Sequence, residues 1–297
     1  MNKHPRVCVV GSINMDMVTT TKKMPKQGET VLGESFKTYP GGKGANQAIA
    51  AARLGANVSI IGAVGDDTFG RSLLTHFQSE GIDQEGIQVI PNISTGIATI
   101  ILSENDNRIL VSSGANAKLT PEIVNDSHEL LLASDVILLQ FEIPMETVQF
   151  TVDFAYKHQI PVIINPAPFH EIPEDILKKV TYLTPNEVEF LSMTNMPLFE
   201  SIKNKMIVTK GEQGVQFVAS SGVLETIPAY QVHVKDTTGA GDTFNGALAT
   251  ELGRTKSIDE SVHFANAAAA LSIGRLGAQG GMPMRKDVTR FIEKVKA

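Results

Sequence analysis

The chain has 297 residues, 42% of them hydrophobic and 20% charged, with a formal net charge of −6. That is enough apolar material for one large core, and mild acidity with no run of five like charges argues against a nucleic-acid or membrane surface. The one cysteine, Cys8, excludes an intramolecular disulfide, and seven histidines with no His-x-x-x-His pair around a glutamate argue against zinc.

In chain order, the first apolar run is Val7-Cys8-Val9-Val10, a strand in which Cys8 reads as a small core residue. Lys3 and Arg6 precede it, but the run is too short for a secretory signal. No stretch approaches the ~18 apolar residues of a bilayer span, so a cytoplasmic location is expected. Further runs at 58–63, 136–141, 161–164, 181–184 and 206–209 predict strands, and amphipathic segments at 46–54, 69–80, 145–158 and 186–193 predict helices between them. Near-continuously apolar strands separated by helices predict an α/β fold: a doubly wound, mostly parallel sheet covered on both faces. Residues 17–39 and 95–111 break this rhythm. They are β-rich and alternating, with a polar turn at Ser103-Glu104-Asn105-Asp106-Asn107, and predict a small antiparallel sheet projecting from the main body. The whole chain, 1–297, reads as a single domain carrying this appendage.

Polar or glycine-rich clusters follow the apolar runs directly: Gly11-Ser12-Ile13-Asn14-Met15-Asp16, Gln140-Phe141-Glu142, Asn165-Pro166, Thr184-Pro185-Asn186-Glu187 and Thr209-Lys210-Gly211. Ligands of open α/β sheets bind at the carboxyl ends of the strands, where this chain concentrates its polar residues. The sharpest motif is Asp236-Thr237-Thr238-Gly239-Ala240-Gly241-Asp242-Thr243-Phe244, followed by a helical pattern through Phe244, Ala247, Leu248 and Leu252. Glycines at a helix start let backbone N–H groups converge on an anion. A carboxylate there would repel phosphate, but makes sense as a base that takes a proton from an attacking hydroxyl; the plainer reading is an Asp N-cap.

Gly41-Gly42-Lys43-Gly44-Ala45-Asn46 opens another helix without matching a Walker A loop, and suits close approach to a polyhydroxylated ligand, with Lys43 and Asn46 as donors. Asn14 and Asp16 suit adjacent sugar hydroxyls, against the alternative of an Asx turn. Asn186-Glu187-Val188-Glu189 offers an amide and a carboxylate to phosphate and hydrated Mg²⁺, against a plain solvated helix start. No Gly-x-Gly-x-x-Gly follows the first strand, which argues against a dinucleotide-dependent oxidoreductase.

Together these motifs resemble the ribokinase-like carbohydrate kinase family. Gly41 to Ala48 resembles its N-terminal signature, Asp236 to Phe244 its C-terminal signature and Asn186 to Glu189 its Asn-x-x-Glu motif, nearly end to end and in the family's order. Gly11 to Asp16 and Gly274-Arg275-Leu276-Gly277-Ala278-Gln279 most resemble its ribose kinases. The resemblance implies ATP-dependent phosphorylation of D-ribose to D-ribose 5-phosphate, and a β-sheet lid that also forms a homodimer contact. It implies sugar binding by Asn14, Asp16, Gly42, Lys43, Asn46 and Glu142, with Asp242 as base and Gly239, Ala240 and Gly241 as anion hole. Asn186, Thr209, Lys210, Gly211, Glu212, Gln213, Gly214, Gly241 and Asn266 would line the nucleotide site, with Glu189 reaching Mg²⁺ through water. Asp236, Thr238, Ser272, Arg275, Gly277 and Gly281 would surround a K⁺ ion, largely through backbone oxygens. Other implied readings are a kinase for another sugar or nucleoside, such as fructose or adenosine, and a non-catalytic sugar sensor; an intact Asp242 argues against the last. Three departures stand out: a short segment between Asn186 and Thr209, Gly239 where many members have Ala, and Gly281 where many have Ser.

Overall fold

The computed structural model describes residues 4–104 and 106–296. Asn105 of the expected turn and Lys3 lie outside them. The strands are β1 (Arg6–Val10), β2 (Asn14–Thr20), β3 (Ser35–Gly41), β4 (Asn57–Gly65), β5 (Ile87–Ile90), β6 (Gly96–Ser103), β7 (Asp106–Ser112), β8 (Val136–Gln140), β9 (Val162–Asn165), β10 (Tyr182–Leu183), β11 (Ile207–Thr209), β12 (Val215–Val218) and β13 (Leu224–Ile227). The α-helices are α1 (Lys43–Arg53), α2 (Thr68–Ser79), α3 (Pro121–Asp126), α4 (His128–Leu132), α5 (Met145–Lys157), α6 (Glu174–Lys179), α7 (Glu187–Met193), α8 (Phe199–Ile202), α9 (Ala240–Gly253), α10 (Ile258–Ser272) and α11 (Arg285–Lys296).

The main sheet runs β10-β9-β8-β1-β4-β5, every neighbouring pair parallel. Strand β1 shows why both faces must be covered. Val7 and Val9 pack into a core with α1 and α9, whereas Cys8 and Val10 face a second core with α5 and α6. The period of two along Val7 to Val10, all four buried, therefore serves two helical layers. The chain leaves β1 toward β4 on one side and later returns to β8 on the other. The carboxyl ends of β1 and β8 thus form a topological switch point, where neighbouring connections diverge and leave a crevice.

The second sheet runs β3-β2-β6-β7. It corrects the expectation of a purely antiparallel lid. The outer pairs β2–β3 and β6–β7 are antiparallel, but the central pair β2–β6 is parallel, in register from Asn14 opposite Gly96 to Thr20 opposite Leu102. Both central strands follow strands of the parallel sheet, β1 and β5, so they enter the lid in the same direction. The lid strands begin at 14 and 96, and no strand occupies residues 21–34.

A third sheet, β11-β12-β13, is antiparallel and joins the main one through parallel bridges Leu183–Met206 and Asn186–Thr209. Only 206–209 carried a strand signal, because residues 224–226 are exposed and offer no apolar run.

Candidate active site

The site assembles where helix α9 crosses helix α1. A Cβ built on Gly246 would stand 2.7 Å from the Ala50 Cβ and 2.7 Å from the Gln47 carbonyl oxygen, so glycine lets the two backbones touch. One turn before Gly246, Asp242 meets the side chains of α1: Asn46 Nδ2 donates to Asp242 Oδ2 at 2.9 Å and Gln47 Nε2 donates to Asp242 Oδ1 at 3.0 Å. Helix α1 is pinned in turn by Gly44, where a Cβ would stand 2.6 Å from the Gly11 carbonyl carbon. Gly42 has φ +89° and closes against the Asn14 backbone nitrogen, a conformation and an approach that require glycine.

Around Asp242 the structure gathers the expected sugar-binding residues. Glu142, just past β8, accepts from Ser12 Oγ at 2.5 Å and from the Lys43 backbone N–H at 3.2 Å, and its other oxygen lies 3.6 Å from Lys43 Nζ. The switch point is thereby closed by one carboxylate. Asn14 is 2% exposed, and its Oδ1 accepts from Asn116 Nδ2 at 2.7 Å. Asp16, one pleat further along β2, lies against Gly41, where a Cβ would fall 2.3 Å from its carboxyl group.

Three carboxylates and one ammonium share this space. Burial and the nearby Glu142 and Asp242 charges push the Asp16 carboxyl up to about 7, against the pull of Lys43. Burial also raises the Asp242 carboxyl, opposed by Lys43 and by the Asn46 and Gln47 hydrogen bonds. Burial would lower the Lys43 ammonium, but Asp242, Glu142 and Glu189 together hold it above its ordinary value. An elevated carboxylate in a polar pocket is suited to proton abstraction from a hydroxyl.

Asp242 occupies the first turn of α9, after Gly239 at φ +79°. Gly241 is exposed, with open space where a Cβ would be, so a ligand can reach its backbone. The Ala240 N–H donates to the Thr237 carbonyl at 3.2 Å, so that member of the expected anion hole is engaged within its own turn. Gly239 is tightly constrained: a Cβ would stand 2.8 Å from Ala278 Cα. Asn245 Nδ2 donates to the Gly241 carbonyl at 2.9 Å, and Asn245 Oδ1 accepts from Thr184 Oγ1 at 2.6 Å, fixing the helix start to the end of β10.

The expected nucleotide residues lie on neighbouring ends. Asn186 and Thr209 are bridge partners, and the Thr209 N–H donates to Pro185 O at 3.0 Å. Lys210 to Gly214 form a tight turn closed by Lys210 N–H donating to Gly214 O at 2.7 Å; Gly211, Glu212 and Gln213 are its 3₁₀ segment. Asn266, on α10, donates to Pro228 O at 2.9 Å. Asn186 and Glu189 form a reciprocal capping box at the start of α7. Glu189 is not the solvated alternative: it is 8% exposed, its carboxyl is raised by burial, and it feels Lys43 across the site.

The expected cation residues also converge in part. Asp236 accepts from Thr238 N–H at 2.9 Å and Gly277 N–H at 2.7 Å, joining two loops. A Cβ on Gly281 would fall 1.9 Å from the Ser272 carbonyl oxygen, so that carbonyl faces Gly281 and a serine could not occupy this backbone. Arg275 is exposed.

The sequence assigns no individual role to Gln47, Asn165, Gln140, Ser12 or Gln279, although each lies in a motif or strand-end cluster named above. Gln140 Nε2 donates to Gln47 Oε1 at 2.7 Å, and Gln47 Nε2 is shared with Asn165 Oδ1 at 3.1 Å. The polar ends of apolar strands signalled Gln140 and Asn165; nothing in the local pattern signalled the role of Gln279.

Residues 4–285 match the model of the pfkB family of carbohydrate kinases. The chain is 44% identical over 290 residues to a ribokinase from Bacillus subtilis, covering 96% of this chain and 99% of that one. It is 35% identical to a deoxyribokinase from Salmonella typhi, covering 96% and 98%. The solved structure of Arabidopsis thaliana ribokinase complexed with ribose and ATP superposes with a TM-score of 0.90 at 32% identity, over 98% of this chain and 99% of that one. With the motif order, the doubly wound fold and the full-length match in agreement, the chain belongs to the pfkB family of carbohydrate kinases.

Proposed function

We propose that this chain transfers the γ-phosphoryl group of ATP to the 5-hydroxyl of D-ribose, releasing ADP and D-ribose 5-phosphate. The observation that carries this reading is the Asp242 carboxylate, raised by burial, gripped by two amide donors and set beside the approachable backbone of Gly241. Asn14, Asp16, Gly42, Lys43, Asn46 and Glu142 hold the sugar. Asp242 accepts the hydroxyl proton as the sugar oxygen attacks the γ-phosphorus, and ADP leaves from the opposite side. Donors at Gly239, Ala240 and Gly241 face the charge that develops on the phosphoryl oxygens, Ala240 after releasing Thr237. Asn186, Thr209, Lys210 to Gly214 and Asn266 receive the nucleotide. Glu189 would hold magnesium through water, and the ion would supply charge neutralisation to the phosphates of ATP. Asp236, Thr238, Ser272, Arg275, Gly277 and Gly281 would hold a potassium ion, largely through backbone oxygens, and the ion would order the anion-hole donors. The lid supports a homodimer: Phe36 and Leu110, 57% and 69% exposed, stand on the same face of its sheet and offer apolar surface to a partner. A cytoplasmic setting suits ATP as substrate.

The substrate is tested by ADP release with ribose, 2-deoxyribose, fructose and adenosine, ribose being the best acceptor; a preference for any other overturns ribose. Asp242→Asn tests the base and separates a kinase from a sugar sensor. It should retain sugar binding and lose ~10²–10⁴-fold in rate; turnover within a few-fold of wild type removes Asp242 from that role.

A further inference from the structure

A directed chain of side chains ends on Asp242. His76 Nε2 lies 2.8 Å from Gln279 Oε1, Gln279 Nε2 donates to Asn46 Oδ1 at 2.8 Å, and Asn46 Nδ2 donates to Asp242 Oδ2 at 2.9 Å. A carbonyl oxygen only accepts, so the first contact requires the proton on His76 Nε2. Each link then fixes the next. With Oε1 held by His76, Gln279 has only its NH₂ to offer Asn46, and with Oδ1 so occupied, Asn46 must present its NH₂ to the carboxylate. The backbone of Gln279 is clamped as well, because Arg53 Nη1 donates to its carbonyl at 2.5 Å while Arg53 pairs with Glu80. Gln279 is 7% exposed and Asn46 6%. A buried amide with both ends matched in this way has one orientation, and reversing it would leave a donor against a donor.

We propose that Gln279 is a positioning residue for the phosphoryl transfer: backed by His76, it dictates which end of the Asn46 amide faces Asp242. The inference rests on Asp242 being the base. It assigns a role to a residue of the C-terminal loop that reaches the reacting carboxylate only through α1. Asp242 also faces Lys43 from α1, Glu142 beyond β8 and Asp16 from β2, and their charges are untouched by the neutral variant used below.

The experiment compares Gln279→Met and Gln279→Glu with wild type. Met keeps the volume and removes both polar ends; Asn46 is then free to turn. Glu keeps the shape but accepts only, so it recruits the Asn46 NH₂ and turns Oδ1 toward Asp242. The expected order of kcat with ribose is wild type above Met above Glu, the Met loss being about ten-fold, equivalent to one hydrogen bond to a charged group. In the Met variant the acid limb of the pH profile of kcat/KM for ribose moves upward by about half a unit to one unit, since the ionised base has lost a fixed donor. KM for ATP stays near wild type. His76→Phe, which keeps the ring and removes the donor, moves kcat in the same direction by less. A role limited to holding the loop predicts the opposite order, the isosteric Glu being the milder change, and an unmoved acid limb. Either result overturns the proposal, and the Glu variant carries the test by itself if Met fails to fold. Retained turnover in Asp242→Asn overturns this inference together with the base; loss of turnover there with an unmoved limb in Gln279→Met overturns this inference alone.

Discussion

Gly246 and Ala50 touch across the α1–α9 crossing, with a hypothetical Gly246 Cβ only 2.7 Å from Ala50 Cβ. Asp242 sits one turn away on α9, and Asn46 one turn away on α1. The separation of the two helices therefore sets the two hydrogen bonds, from Asn46 and Gln47, that hold the Asp242 carboxylate. Gly246→Ala is expected to overpack the crossing at a cost of about 1–3 kcal/mol, because the atoms it meets include the backbone of Gln47 and Ala51. The diagnostic is that kcat falls further than stability accounts for, at temperatures where the variant is fully folded. Normal kcat in a folded but less stable variant would separate the crossing from the chemistry.

Asp16 gives a prediction for pH. Its carboxyl is pushed up to about 7 from an ordinary value of 3.8. A carboxyl that binds its proton more tightly when folded takes up protons on folding between these two values, so stability falls as pH rises through that window and levels off above it. Asp16→Asn removes the ionisation. It should stabilise the ligand-free protein at pH 8 by on the order of 1–2 kcal/mol and leave it unchanged below pH 4, while weakening ribose binding. Urea melts across pH measure this, and equal stability of variant and wild type at pH 8 contradicts the shift.

The lid gives a prediction for motion. A kinase must exclude water from the transferring phosphoryl group, and β2 and β6 leave the main body side by side at Asn14 and Gly96. Asp67 accepts from the Thr95 N–H at 2.7 Å and from Thr95 Oγ1 at 2.7 Å, anchoring the exit of β6. Hydrogen exchange with ribose present should slow across residues 17–39 and 95–111, and hardly at all in β8 and β9. Identical exchange with and without ribose would show that these segments do not close on it.

Particular residues explain what the sequence could convey. Val7 to Val10, the Gly42 turn and the Asp242 helix start were legible because each is a local pattern, apolar period or glycine placement, that admits few conformations. The direction of β6 was not legible: the alternation of Ile97, Thr99 and Ile101 gives a strand and its faces, but pairing with β2 is a matter of which element each strand leaves. Glu189 looked like a solvated helix start because a capping box and a buried site carboxylate share one spelling. Gln279 closes the Gly274–Gln279 motif, but its role could not be read there, since its partners His76 and Asn46 lie 203 and 233 residues away in the chain.

The last prediction concerns potassium. Lys235 N–H and Asp236 N–H both donate to the Ile273 carbonyl, at 2.8 and 3.2 Å, and Asp236 ties Thr238 to Gly277. The two loops thus form one unit, rich in backbone carbonyls, with the Ser272 carbonyl turned toward Gly281. This unit presses on the anion loop where Ala278 meets Gly239. A monovalent cation held by these carbonyls would leave sugar and nucleotide untouched and would stiffen the donors from Gly239 to Gly241. Preorganised donors of this kind are worth roughly 2.7–4 kcal/mol each in comparable sites, so even a partial loss of order is measurable in kcat. Potassium should raise kcat clearly over sodium or Tris at equal ionic strength. Asp236→Ala frees two backbone N–H groups and loosens the loops, which stay tied through the Ile273 carbonyl, so it should abolish the potassium response while the melting temperature, which reports the two main cores, changes by only a few degrees. Full activity in potassium-free buffer, with no gain on adding the ion, would remove it from the mechanism and leave Asp236 as a loop tie alone.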